Sequence, residues 1–282
     1  CTTGLDEAQI AEIKAAATKI PVLFSANMSL GVNLLVSLVQ KAAENNNWVL
    51  VSIFINPTQF NNSSDLTKYP KNIAKDLELL TLYNKKLIVY TPDGSDLYPK
   101  AINAKKYNFG SLALYMEGAF RDNHFNGVAT VIEALFRNLK PDRAYFGEKD
   151  FQQLQIIKAL NNQLNLGIEI IGCPIIREID GIAMSSRNQL LNKKERNAAP
   201  IIFQTLQKID EHSDHWDVNY MTRFFKKTVE KNYCLRVEYF FVAEEATLIP
   251  IKSFKKQNTY RIFVAVNAGK TRLIDTLKLG RI

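Results

Sequence analysis

The chain has 282 residues, 46% hydrophobic and 23% charged, a globular composition that excludes disorder as an overall reading. The net charge of +8 is uneven: residues 193–282 carry 17 Lys and Arg against 10 Asp and Glu, while residues 1–192 carry 19 against 18. The C-terminal lysines are interspersed with acids, and no arginine-rich run or aromatic ladder accompanies them. A solvated face is expected there, and no nucleic-acid partner. The length suits one large domain or two ordinary ones.

No apolar run reaches the roughly 18 residues of a membrane span, so no membrane partner is expected. The longest candidate, Ile20–Val39, is broken by Ser25, Asn27, Ser29 and Asn33. The start Cys-Thr-Thr-Gly has neither a basic region nor an apolar core, so no signal peptide is expected, and it also lacks methionine. Cys1, Cys173 and Cys234 form no CxxC and no even framework, which fits a reducing cytoplasm without disulfides or structural zinc. His124, His212 and His215 are too few for a His-rich metal site.

In chain order, residues 5–19 read as a helix with Leu5, Ile10 and Ile13 on one face. Pro21–Ser25 reads as a short buried strand, Asn27–Asn33 as a loop and Leu34–Glu44 as a helix. Trp48–Ile55 (WVLVSIFI) reads as a buried strand stopped by Pro57. A helix over Asn72–Leu82, a strand over Lys86–Tyr90 and a turn at Thr91–Gly94 follow. Then come a helix over Val128–Leu139, a strand at Arg143–Phe146, a helix over Phe151–Asn165 and a strand at Ile168–Ile171. Strands alternating with helices predict a parallel sheet covered on both faces, with ligands at the C-terminal strand ends. After Asn192 the pattern changes. Helices over about 193–211 and 217–231 and strands at Arg236–Val242 and Tyr260–Val266 predict a small α+β second domain, with the boundary within 172–195.

Four polar segments are candidates for chemistry. Asn56-Pro57-Thr58-Gln59-Phe60 directly follows a strand, where Asn and Gln amides can hold a small polar substrate. Arg121 and His124, three residues apart in Glu117–Phe125, can reach one anion. Gly147-Glu148-Lys149-Asp150 lies between a strand and a helix. There Gly allows close backbone approach to a phosphate, and Lys149 adds a full positive charge to the helix N-terminus. Asp180–Asn188 contains Met184-Ser185-Ser186-Arg187, two hydroxyls and a guanidinium that can clamp a polyphosphate as an anhydride bond breaks.

Together these segments closely resemble the pantothenate synthetase (pantoate–β-alanine ligase) family, from about Asn47 to the end. The matching motifs are VSIFINPTQF (51–60), DLTKYP (65–70), MEGAFRDNHFNGVATV (116–131), PDRAYFGEKDFQQL (141–154), REIDGIAMSSRN (177–188) and KTRLID (270–275). The resemblance implies a Rossmann-like nucleotidyltransferase fold of the HIGH type, with a nucleotide- and pantoate-binding domain over 47–175 and a small C-terminal domain over 176–282. It implies ATP-dependent condensation of pantoate with β-alanine through pantoyl adenylate, with Mg²⁺, in a cytoplasmic homodimer. Gln59 and Gln153 match its pantoate-binding glutamines, and Asn56, Arg121 and His124 stand beside them as substrate-binding candidates. Gly147, Glu148, Lys149 and Asp150 match its ATP-binding GEKD, Ile176 a backbone contact to adenine, and Met184–Arg187 its phosphate clamp. Lys149, Ser185, Ser186 and Arg187 are the expected catalytic groups, and Asp76 matches a Mg²⁺-linked aspartate.

The family's MGALHxGH, whose two histidines hold the nucleotide phosphates, aligns here with Met28–Leu35. Val32 and Leu35 stand at the histidine positions, and neither side chain can donate a hydrogen bond. Residues 1–44 instead resemble a fragment of dihydrodipicolinate reductase, in which Thr2, Thr3 and Ser25–Met28 match cofactor contacts. That family's GxxGxxG fingerprint and catalytic His-His stretch are absent, so nicotinamide-dependent reduction is not expected. The segment 1–46 therefore reads as a foreign strand–loop–helix replacing the usual first unit. The fold should be retained, because the hydrophobic pattern is kept, and ATP activation should be severely impaired. A non-catalytic chain that binds pantoate or ATP is the alternative.

Overall fold

Residues 22–24, 42, 48–59, 73–81, 87–98 and 103–280 are described by a computed structural model of the chain. The expected helix over 5–19, the loop at 27–33, nearly all of the helix over 34–44, the reductase-like contacts and positions 32 and 35 lie outside the described residues.

Five short strands form one parallel sheet: β1 (Val22–Phe24), β2 (Val49–Ser52), β3 (Leu87–Tyr90), β4 (Arg143–Gly147) and β5 (Glu169–Cys173), in the order β3-β2-β1-β4-β5. The strand from the divergent N-terminal segment is the central one. Val22 pairs with Leu50 of β2 on one side and Ala144 of β4 on the other. Strand order reverses between β1 and β4, the kind of point where such sheets bind ligands. Val49, Val51, Ile53, Leu80, Tyr145 and Cys173 form a buried cluster around the sheet. Interleaved with these strands along the chain are α1 (Ile73–Thr81), α2 (Gly94–Leu97), α3 (Glu117–Phe120), α4 (His124–Leu139) and α5 (Phe151–Gln163). Helix α4 begins four residues earlier than its apolar spacing suggests, with Asn123 at its N-cap in the left-handed region. The expected turn at Thr91–Gly94 gives way to α2 from Gly94, with Asp93 and Asp96 forming a capping box.

Helix α4 also carries an acidic anchor. Glu133 is buried and accepts hydrogen bonds from Lys105 Nζ at 2.7 Å, Tyr107 Oη at 2.6 Å and Arg137 Nε at 2.7 Å. Burial alone would push its carboxyl up, but these three donors together bring it down to about 2. A depressed carboxyl stabilises the fold above its unfolded pKa of about 4.5 and loses that contribution as pH falls toward 2. The contribution is roughly 2–3 kcal/mol, discounted because Lys105 and Arg137 are themselves more than half exposed. Chemical denaturation of the natural chain and Glu133→Gln should differ by this amount at neutral pH, and the two should converge between pH 4.5 and 2. A gap that stays constant over that window would contradict the assignment.

The antiparallel sheet is β6 (Leu235–Glu244), β7 (Tyr260–Ala268) and β8 (Thr271–Lys278), in that order. Beside it run α6 (Lys193–Ala198), α7 (Ile201–Glu211) and α8 (Val218–Val229). The single helix expected over 193–211 is two, because Pro200 follows the end of α6 and stands at the N-cap of α7. Leu206, Met221, Phe225, Val229, Ile262 and Val266 are fully buried in the core that these elements share.

The chain divides into two compact units, and the division is not one cut. The first unit holds residues 1–109, 121–148 and 153–174, and the second holds 110–120, 149–152 and 175–282. Lys149 thus belongs with the antiparallel sheet, although the sequence places it just after β4. Phe151 fixes this attachment: its ring lies 6.1 Å from that of Phe263 on β7 and 3.9 Å beneath the Arg261 guanidinium.

Candidate active site

In the first unit, β2 runs into Asn56, and Pro57–Gln59 closes a 3₁₀ turn. Asn56 and Gln59 are both 1% exposed. Asn56 Oδ1 accepts from Tyr98 Oη at 2.8 Å, from Thr58 Oγ1 at 2.9 Å and from Thr58 N–H at 3.3 Å. Its Nδ2 donates to the Gly127 carbonyl at 3.0 Å and to Gln59 Oε1 at 3.4 Å. Both ends of the Asn56 amide are therefore engaged with the protein. In this arrangement Asn56 shapes the turn that carries Gln59. Burial raises the Tyr98 hydroxyl pKa, with the Thr58 hydrogen bond opposing, and Tyr98 stays a donor.

Arg121 and His124 meet, and their shared target is the Gln59 backbone. Arg121 Nη2 donates to the Gln59 carbonyl at 3.1 Å. The ring Nδ1 of His124 lies 3.1 Å from the same oxygen, and its Nε2 lies 3.1 Å from Arg121 Nη1. Since the carbonyl can only accept and the guanidinium can only donate, the pattern assigns a neutral ring protonated at Nδ1. His124 is buried. Gly127 completes the clamp. A Cβ on it would stand 2.3 Å from the Thr58 carbonyl oxygen, so only glycine lets α4 approach the turn this closely. Gln153 lies half-buried on α5 in the same unit. Glu148 lies against β5, where a Cβ on Gly172 would meet its Oε1 at 3.0 Å. Gly147 is the last residue of β4, paired with Cys173.

In the second unit, Lys149 has a side chain only 13% exposed, with Nζ 3.8 Å from Asp150 Oδ2. The Met184–Arg187 segment ends a hairpin in which Arg177 bridges Ala183 and the Met184 N–H donates to the Ile176 carbonyl at 2.9 Å. Gly181 turns this hairpin at φ +92°, close against the Phe203 ring. Ser185 caps the following 3₁₀ turn, its Oγ accepting from the Arg187 N–H at 3.3 Å, and Ser186 is buried. Asn188 Nδ2 donates to Glu178 Oε1 at 2.7 Å and to the Ala183 carbonyl at 3.1 Å. Arg196 bridges Glu178 and Asp180, and its hydrogen bond holds the Asp180 carboxyl below the usual range.

Asp76 is buried in the first turn of α1. Among the described residues no group of three His, Cys, Asp or Glu side chains could hold a metal. Sequence reasoning gave Tyr98 and Gly127 no role, because their contacts with the 56–59 turn join segments distant in sequence; Gly127 did lie inside a quoted motif.

The pantoate-beta-alanine ligase family model matches residues 35–278, beginning earlier than the resemblance from about Asn47. A pantothenate synthetase from Christiangramia forsetii is 42% identical over 244 residues, covering 86% of each chain. One from Flavobacterium psychrophilum is 41% identical over 243 residues, also covering 86% of each. Among solved structures, a pantothenate synthetase from Thermus thermophilus superposes with a TM-score of 0.86 at 32% identity, covering 96% of this chain and 97% of that one. A pantoate-beta-alanine ligase from Francisella tularensis, solved with β-γ ATP and β-alanine, gives a TM-score of 0.78 at 29% identity over 98% and 97%.

Proposed function

The chain belongs to the pantoate-beta-alanine ligase family, and on that premise we propose that it joins pantoate to β-alanine at the expense of ATP, with a weakened activation step. In the first half-reaction a pantoate carboxylate oxygen attacks the α-phosphorus of ATP. The bond to the β-phosphate oxygen breaks, and pyrophosphate leaves. In the second, the β-alanine amine attacks the acyl carbon, AMP leaves and the nitrogen loses a proton. Adenylation converts a carboxylate oxygen, a poor leaving group, into a good one.

The observation that carries this reading is the clamped turn at 56–59. Asn56, Arg121, His124 and Gly127 all act on it, and together they fix the buried Gln59. Gln59 and Gln153 hold pantoate in this reading. Lys149, Ser185, Ser186 and Arg187 take phosphate charge, Gly147–Asp150 and Met184 contact ATP, and the Ile176 backbone meets adenine. Asp76 would hold a Mg²⁺, which would supply positive charge to offset the nucleotide phosphates. The proposal includes a cytoplasmic homodimer, whose oligomeric state light scattering checks.

Val32 and Leu35 support the weakened step, since two phosphate donors are missing. They also favour a second reading, a non-catalytic chain that binds pantoate or ATP. Pyrophosphate release from ATP and pantoate before β-alanine is added separates the two readings. The adenylate route requires it, and a binding protein gives none.

A further inference from the structure

Residues 271–275 of the KTRLID stretch lie on β8, and the proposed chemistry leaves Arg272 and Asp275 without a task. Each is committed to a segment that would handle nucleotide. Arg272 forks onto Glu117, with Nη1 to Oε2 at 2.9 Å and Nη2 to Oε1 at 2.7 Å. Its Nε donates to Glu238 at 2.8 Å, and Tyr239 Oη donates to Glu117 Oε1 at 2.8 Å. The Glu117 N–H then donates to Gln152 Oε1 at 3.0 Å. Gln152 Nε2 donates to the Leu112 and Tyr115 carbonyls, both at 2.8 Å. Gln152 is buried and stands three residues after Lys149. Arg272 therefore reaches the Lys149 turn through two intermediaries.

Asp275 makes the matching fork. Arg177 Nη1 and Nη2 donate to its two oxygens at 2.7 and 2.9 Å. Arg177 Nη1 also donates to the Gly181 carbonyl at 3.0 Å, and its guanidinium lies 3.4 Å from the Phe203 ring centroid. Arg177 opens the hairpin that delivers Ser185–Arg187. All these groups lie in the second compact unit.

Fold stability alone does not call for such pairs. A buried ion pair is often matched or exceeded by apolar residues of the same volume. What a bidentate Arg–carboxylate fork supplies is geometric register. We propose that Arg272 and Asp275 are positioning residues for the nucleotide: one strand holds the Lys149 turn and the Ser185–Arg187 turn in fixed register. This rests on the functional reading that those turns take phosphate.

The test is calorimetric titration of the natural chain, Glu117→Gln and Asp275→Asn with Mg·ATP and, separately, with pantoate. Glu117→Gln keeps the side chain's shape while removing its charge, and unchanged exchange in β7 reports that the fold is intact. Both variants should bind Mg·ATP at least tenfold more weakly while binding pantoate within twofold of the natural chain. Hydrogen exchange should rise at 149–152 in Glu117→Gln and at 184–188 in Asp275→Asn, with β7 unchanged. A natural chain that binds no ATP would sink the functional reading. A natural chain that binds ATP, with variants that bind it as tightly, would overturn the positioning role. A matching loss of pantoate affinity would overturn it too, by showing general damage.

Discussion

The double substitution Val32→His with Leu35→His should raise pantoate-dependent pyrophosphate release by about 10³-fold. Removing one preorganised donor to a developing oxyanion typically costs about 10²–10³ in rate. Neither residue at these two positions is a donor, and the two contributions overlap, so about 10³ is expected rather than the product. The gain should fall on turnover, because charge at the breaking phosphoanhydride grows most in the transition state. Pantoate affinity should stay within a few-fold, since Asn56, Arg121 and His124 all hold Gln59. Either single substitution should give more than half of the gain in free energy, because the two contributions overlap. Equal rates for the natural chain and the double variant would mean that the N-terminal segment supplies phosphate stabilisation by another route.

Gly127→Ala should weaken pantoate binding by about 10²-fold while leaving ATP binding in place. Alanine normally favours a helix over glycine by about 1 kcal/mol. That gain is outweighed here. The added Cβ would stand 2.3 Å from the Thr58 oxygen, 2.6 Å from its carbon and 2.9 Å from the Gln59 nitrogen, all backbone atoms. Overpacking costs about 1–3 kcal/mol, and rigid backbone contacts put this site at the upper end. Relief requires the 57–59 turn to move off α4, which breaks the Asn56–Gly127 hydrogen bond and displaces Gln59. A shift of about 1 Å at a positioning group can cost about 10²-fold. Steady-state kinetics with pantoate as the varied substrate checks this. An unchanged KM for pantoate would show that Gln59 does not bind it.

The parallel layer was legible because its strands are short apolar runs bounded by Asn, Pro and Gly, a pattern that periodicity reads well. Strand β8 was not read as a strand. Arg272 and Asp275 interrupt its apolar face, and their forks close over 155 and 98 residues of chain. Local spacing cannot show such partners. The same holds for Asn56, whose residue type suits both ligand binding and turn building. Its turn-building contacts with Tyr98 and Gly127 lie 42 and 71 residues away. Lys149 sits with the second unit because of Phe151, whose apolar ring the sequence marks only as the start of a helix. The motifs, by contrast, marked the candidate segments as polar stretches beside strands and helices. They could not say which members of a motif face a ligand and which hold the frame.

The most direct measurement is pyrophosphate release by the purified chain with ATP, Mg²⁺ and pantoate, beside Lys149→Ala. The natural chain should release it slowly but measurably, at least tenfold above the variant, and β-alanine should convert the product to pantothenate and AMP. Release no greater than that of Lys149→Ala, from a folded chain that binds ATP, would contradict the adenylate route and leave a binding protein on a ligase fold.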